Sequence, residues 1–324
     1  MNFPANQKKD LVDMGDGFRH DDVMNPISRK YVKRLISIDT MFRPHYATTD
    51  SADFIYHVPD HIKKVVSMKI SSIEMPNTIY MFSAKNYSNT FKIIIDGEVY
   101  PIPMPDGTSA DIDVFIETLN ALLVSLGVPK LVVTYHPSGR LSFDYSSTTS
   151  EEISFSLDFT STQAKYRQNA GWAMGFRNDF YTCTITQGTV QTTDENGEIT
   201  TSTVYKGSID ADSIYGANQD KYIFIDIDDY QRNFLTGAVI AVTNNTSTGN
   251  SSYIGNTIMA KIPMAANPNF IMLNNGADQL FKTREYFGPV KLEKLRIRLI
   301  NRFGDVVNLN NEDYSIALEI TELY

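Results

Sequence analysis

The chain has 324 residues, 42% hydrophobic and 21% charged, enough for one large or two ordinary domains with a sizeable core. Its 29 Lys and Arg against 38 Asp and Glu leave a net charge of −9, which argues against direct nucleic-acid binding, because phosphate contacts need a basic face. The single cysteine, Cys183, excludes an intramolecular disulfide framework and a Cys-rich metal site, and it fits a reducing compartment.

Residues 1–33 differ from the rest. Lys8, Lys9, Arg19, Arg29, Lys30 and Lys33 stand beside Asp10, Asp13, Asp16, Asp21 and Asp22, with few periodic apolar residues. This reads as an extended N-terminal arm that orders against a neighbouring subunit, a disordered leader being the alternative. There is no apolar signal core and no apolar run long enough for a membrane span, so a soluble, non-secreted chain is expected.

Strand signals then begin. Ile36 and Ile38 alternate with polar residues, as do Phe54, Tyr56 and Val58. Val66, Met68 and Ile70 share one parity, whereas Ile73 and Met75 take the other. A one-residue slip moves side chains to the opposite face, so a bulge is expected near Ser71-Ser72.

A block over residues 91–183 differs in style. Asp96-Gly97 sits between two apolar runs and marks a hairpin. Ile112, Phe115, Ile116, Leu119, Leu122, Leu123 and Leu126 follow at helical spacing. Thr108 or Ser109 is the expected cap, and Gly127 with Pro129 the stop. A second hairpin turns at Pro137-Ser138-Gly139, a strand covers residues 153–157, and a short helix is expected near residues 161–174.

Beyond this block strands return. A long hairpin turns at residues 194–197, Ile223, Ile225 and Ile227 form a strand, and residues 244–252 read as an exposed polar loop. Leu295, Ile297 and Leu299 alternate with Arg296 and Arg298, and Ile316, Leu318 and Ile320 close the chain. The expected fold is mainly β. A β-sandwich built from residues 34–90 and 184–324, jelly-roll order being one option, carries residues 91–183 as an inserted α+β unit.

Signals for chemistry are weak. Asp226, Asp228 and Asp229 crowd one segment near Asp210, Asp212 and Asp220, and alternation puts Asp226 and Asp228 on one face. A cation site or a glycosidase acid/base pair would use such carboxylates, but the spacing of a calcium loop is absent and a solvated strand end is the simpler reading. His57 and His61 are separated by Pro59, which breaks a metal-binding helix face, and His20, His45 and His136 are scattered. Cys183 lies in a strand-like run and reads as structural rather than nucleophilic. No phosphate loop, dinucleotide fingerprint or nucleophile elbow is present. No cofactor and no catalytic residue is therefore expected. Arg296 and Arg298 share a face that would meet a partner's carboxylates.

Several segments, in order, resemble a family of virion structural proteins of the nucleocytoplasmic large DNA viruses. They are Arg34 to Thr40 with Phe42-Arg43, Ser51 to Phe54, Val65 to Asn77, Pro103 to Gly107, Gly171 to Arg177, and Gly288 to Tyr324. The resemblance covers most of the chain from residue 34. It implies a minor capsid protein of the virion, assembled in the host cytoplasm, that cements major capsid building blocks. Its implied partners are the major capsid protein and other minor capsid proteins, with self-association allowed. Lys8, Lys9, Arg29, Lys33, Arg296 and Arg298 are the expected contact residues. A surface attachment or glycan-binding module, using loop aromatics such as Tyr215 or Tyr253, is the alternative.

Overall fold

A computed structural model describes residues 30–59, 62–107, 111–128, 130–149, 153–161, 168–193, 199–216, 222–234, 240–243, 251–254, 257–264 and 283–324. The chain is mainly β, and every strand pairing among the described residues is antiparallel. It opens with β1 (Tyr31–Asp39), β2 (Asp53–His57) and β3 (Val65–Glu74). A middle stretch follows: β4 (Thr90–Ile95), β5 (Glu98–Pro103), α1 (Ile112–Ser125), β6 (Leu131–Tyr135), β7 (Leu141–Ser147), β8 (Ser154–Asp158), α2 (Ala170–Met174), β9 (Phe180–Thr184), β10 (Thr186–Thr193) and β11 (Ile199–Asp210). The chain closes with β12 (Tyr222–Asp228), β13 (Ile240–Thr243), β14 (Ser251–Ile254), β15 (Ile258–Pro263), β16 (Thr283–Val290), β17 (Lys294–Ile300) and β18 (Ser315–Leu323).

Opening and closing strands form one sandwich. One sheet has the order β1-β18-β3-β16 and the other β15-β12-β17-β2, while β13 and β14 make a separate ribbon. Counted along the chain, the sandwich strands pair first with eighth, second with seventh, third with sixth and fourth with fifth. This nesting gives a jelly-roll-like β-sandwich. Alternation explains how one core serves both sheets. Ile36, Ile38, Met68, Ile70, Ile316, Leu318 and Ile320 point inward from one sheet, and Phe54, Ile223, Ile225, Ile227, Leu295, Ile297 and Leu299 from the other. Each such side chain contributes about 1.5–3 kcal/mol on leaving water. The parity change in β3 has the expected cause. Ala317 pairs with Ser72 and Leu318 with Ile70, so Ser71 is the extra residue of a bulge and Ile73 still reaches the core.

The middle stretch packs around a second core. Its sheets have the orders β5-β4-β8-β9 and β10-β11-β7-β6. The core is aromatic: Phe91, Phe143, Phe159 and Phe176 touch one another in a chain of ring contacts. Between β4 and β5, Asp96 and Gly97 have φ of 46° and 90°, the left-handed pair a two-residue hairpin demands. Helix α1 buries Phe115, Leu119 and Leu123. Its Asn120 side chain donates to the Val133 carbonyl at 3.0 Å and accepts from the Val133 N–H at 2.7 Å, so α1 covers the open edge of β6. The cap differs from expectation. Asp111 is the N-cap and its carboxylate accepts from the Asp113 N–H at 3.0 Å, while Thr108 and Ser109 lie outside the described residues. Of the second expected helix, near residues 161–174, the described part is Ala170–Met174, preceded by Asn169, which caps Trp172 N–H at 2.9 Å, while residues 162–167 lie outside the described residues.

Strand pairing crosses the expected boundary at residues 183–184. β11 pairs with β7, and Ile185, Ile209 and Ala211 lie in the aromatic core, as do Met81 and Phe82 before β4. Sequence style marked the helix-containing part of the unit. It did not reveal that the polar, Thr-rich strands after it join the same sheet as β6 and β7.

Candidate functional site

Asp226, Asp228, Arg296 and Arg298 come together on one region, the outer face and open end of the sheet β15-β12-β17-β2. β12 and β17 pair Asp226 with Arg298 and Asp228 with Arg296, and β17 and β2 pair Arg296 with Ile55 and Arg298 with Asp53. Their core-facing neighbours are Ile225, Ile227, Leu295, Ile297 and Leu299, so period-two alternation turns the charged residues to the other face.

The expected external partners of the two arginines are supplied internally. Arg296 grips Asp53 in a two-pronged pair, Nε to Oδ1 at 2.8 Å and Nη2 to Oδ2 at 2.7 Å. Arg298 donates from Nε at 2.8 Å and Nη2 at 2.5 Å, both to Oδ2 of Asp226. The Asp226 side chain is 1% exposed and its Oδ1 has no hydrogen-bond partner, whereas the Arg298 side chain keeps 31% exposure. These pairs join β17 to β12 and β17 to β2 within the sheet itself.

Asp228 and Asp229 do other work. Asp228 accepts from the Tyr230 N–H at 2.9 Å and shapes the turn after β12. Asp229 turns inward and is fully buried beside Arg284 of β16, which is 2% exposed. Arg284 Nη1 donates to Asp229 Oδ2 at 2.9 Å and to the Ile227 carbonyl at 2.8 Å, and Nη2 donates to the Thr257 carbonyl at 2.8 Å. The Tyr286 hydroxyl donates to the same Asp229 oxygen at 2.5 Å. Burial and then the Asp229 charge push the Tyr286 phenol well above its ordinary value, so it stays a donor. This cluster ties β16 of one sheet to the end of β12 in the other. Arg284 lies in a stretch of the sequence that is rich in basic residues. Its parity with Tyr286 was the available signal that it points into the sandwich.

A cleft of about 450 Å³ opens beside the Arg296–Asp53 pair, lined among others by Pro44, His45, His57, Tyr230 and Phe54. The Lys294 ammonium lies 4.3 Å from the Tyr230 ring centre. The turn before this cleft is fixed by Arg43, which is buried against Asp313 at 2.6 Å, the Thr40 carbonyl at 2.9 Å and the Tyr46 ring.

The remaining expected residues are dispersed. Lys8, Lys9 and Arg29 lie outside the described residues, as do Asp220 and His61. Lys33 is not in an arm: it sits in β1 opposite Thr321, and its ammonium meets Glu319 at 2.8 Å. Asp212 accepts from the Tyr181 hydroxyl and from the Arg177 N–H at 2.9 Å in the second unit. Asp210 lies 3.8 Å from the exposed His136. Tyr215 is no loop-tip aromatic, for its ring packs 5.1 Å from that of Phe115, and Tyr253 lies in β14. Cys183 is a half-buried residue of β9. Among the described residues, no group of three or more His, Cys, Asp and Glu side chains could hold a metal ion. None of the helices among them is long and apolar enough to cross a membrane.

No protein-family model matches the sequence, and no curated protein matches it. Solved structures do. The chain is similar to the crystal structure of the selenomethionine-labelled mavirus penton protein, at 10% identity and a TM-score of 0.37, over 91% of this chain and 100% of that one. It is similar also to a chain of the 3.5 Å cryo-EM structure of the Sputnik virophage, at 12% identity and a TM-score of 0.39, over 91% and 98%. At such scores the role of this chain rests on its own residues.

Proposed function

We propose that this chain is a structural protein of a large icosahedral DNA virus particle, a minor capsid protein that acts through protein–protein interfaces. The observation that carries the proposal is the nested pairing of eight strands, first with eighth through fourth with fifth. We read that order as a jelly roll, an architecture used by viral capsid proteins and also by lectins and cupins, so the fold alone does not choose among them. The segments that resemble virion proteins of the nucleocytoplasmic large DNA viruses favour the capsid. The charged groups of the candidate region support a structural role, since Asp226, Asp229, Arg284, Arg296 and Arg298 are engaged with each other or with Asp53. On this reading the jelly roll comprises β1 to β3, β12 and β15 to β18, and residues 81–215 form a second unit carried between its third and fourth strands. Residues 1–29 and the loops cement the major capsid protein.

Cross-linking mass spectrometry on purified particles tests this. Links from Lys8, Lys9 or Lys33 to the major capsid protein are the expected result. Particles that lack the chain would refute the proposal. The second reading, a glycan-binding attachment module, is favoured by the cleft that places Tyr230 beside Arg296, Asp53 and His57. It predicts links confined to the outer surface and a sugar-dependent rise in melting temperature that Tyr230→Ala abolishes.

A further inference from the structure

We infer that β1 is a self-pairing edge, through which two copies of this chain join their β1-β18-β3-β16 sheets antiparallel across a twofold axis at Leu35.

β1 ends the sheet order, and its ladder with β18 runs without a register break from Tyr31 opposite Leu323 to Asp39 opposite Ser315. The flanking bonds fix which groups are used. Tyr324 N–H donates to the Lys30 carbonyl at 2.9 Å and Thr40 N–H to the Tyr314 carbonyl at 3.0 Å. Antiparallel ladders alternate, so the even residues 32 to 38 bond β18 as well. The N–H and C=O groups of Tyr31, Lys33, Leu35, Ser37 and Asp39 therefore face the open edge, and no described strand pairs with them. An edge left in this state is a template for another strand.

Other edges of the same sandwich carry the usual protections. β16 breaks register between Glu285 and Val290 and contains Gly288-Pro289. β15 meets a register break in β12 and ends at Pro263. β2 has 5 residues against the 9 of β1. β1 has neither proline nor bulge. Exposed apolar side chains gather along it: Tyr31 is 61% exposed and Leu35 65%, and Met41 and Phe42, just past its end, are 61% and 80% exposed.

The strand sequence is complementary to itself. With the axis at Leu35, Leu35 meets the partner's Leu35, Lys33 meets the partner's Ser37, and Tyr31 meets the partner's Asp39. No like charges stand opposite one another, every open N–H finds a carbonyl, and the Tyr31 hydroxyl approaches a carboxylate. Met41 and Phe42 lie at the end where the partner's Tyr31 arrives. Moving the axis to Arg34 shortens the ladder and opposes two guanidinium groups. The occupant that this strand fits is a second copy of itself.

Sedimentation velocity on the full chain, with two variants, tests the inference. Leu35→Pro removes an outward N–H and no bond to β18, and Leu35→Glu opposes two carboxylates while changing only an exposed side chain. The wild type is expected to be a dimer. Both variants should raise the dimer dissociation constant roughly tenfold or more, and the melting temperature of Leu35→Glu should fall only slightly, because Glu319 of β18 stands opposite residue 35 within the same sheet. A wild type that stays monomeric throughout the accessible concentration range overturns the inference, as does a Leu35→Glu variant that dimerises like wild type. So does a wild-type monomer that dimerises only after residues 1–29 are deleted, because the edge would then be occupied by the chain's own N-terminal segment.

Discussion

Replacing Arg284 by methionine probes the contact that ties the two sheets of the sandwich together. Methionine keeps most of the apolar stem and removes the guanidinium. The Asp229 carboxylate, which is fully buried, then loses the guanidinium paired with it and keeps two donors, the Tyr286 hydroxyl and the Gln231 N–H at 3.0 Å. The carbonyls of Ile227 and Thr257 lose a donor each. Breaking a buried pair by removing one partner costs about 3–5 kcal/mol, and leaving a buried polar group unsatisfied costs about 1–3 kcal/mol, so about 4 kcal/mol of destabilisation is expected. Urea unfolding followed by far-ultraviolet circular dichroism measures it. The single Trp172 sits in the second unit and should report that unit separately. The double variant Arg284→Met with Asp229→Asn should recover part of the loss, because the neutral amide keeps an acceptor for Tyr286 without a buried charge. A loss below about 1 kcal/mol for Arg284→Met, or a double variant that loses as much again, would refute the reasoning that an uncompensated charge dominates.

Two further variants on the outer face should differ although both remove an arginine. Arg298→Ala leaves Asp226 buried without the cation it is hydrogen-bonded to and should cost about 2–4 kcal/mol, whereas Arg296→Ala faces an Asp53 side chain that is 27% exposed and should cost about 1 kcal/mol or less. Equal losses in urea denaturation would contradict that ordering. In the second unit, burial pushes the Asp144 carboxyl up, but hydrogen bonds from Thr134, Ser208 and Ser142 outweigh it and hold the group below the ordinary aspartate value. A folded value below the unfolded one means the contribution is present above the unfolded pKa and is lost as pH falls through the folded value. The stability gap between wild type and Asp144→Asn should therefore be widest at neutral pH and close as the solution is acidified below the usual aspartate range. A gap that is independent of pH would show that shape, not charge, accounts for Asp144.

What the sequence determined by itself is local. Alternation at residues 36–38, 223–227, 295–299 and 316–320 identified strands and their core-facing residues, because side-chain direction in a strand has a period of two whatever the strand pairs with. The slip after Ile70 located a bulge at Ser71, and Asp96-Gly97 located a hairpin, since both depend on neighbouring dihedrals alone. The helix was legible in its stripe but not in its cap, where three polar candidates lie within four positions and only the Asp111 carboxylate is seen to accept. Tertiary structure decided everything that joins distant segments. Lys33 belongs to a strand because Thr321 lies opposite it, and nothing near Lys33 in the sequence says so. The polar strands 186–193 and 199–210 belong to a sheet of the second unit because β11 pairs with β7 and β10 with β11. Arg296 and Arg298 looked like free cations, yet Asp53 and Asp226 meet them from neighbouring strands. Arg284 and Asp229 became a buried pair for the same reason. A side chain's pattern fixes which face it occupies, but its partner is chosen by strand order, which is set by the burial of two whole sheets at once.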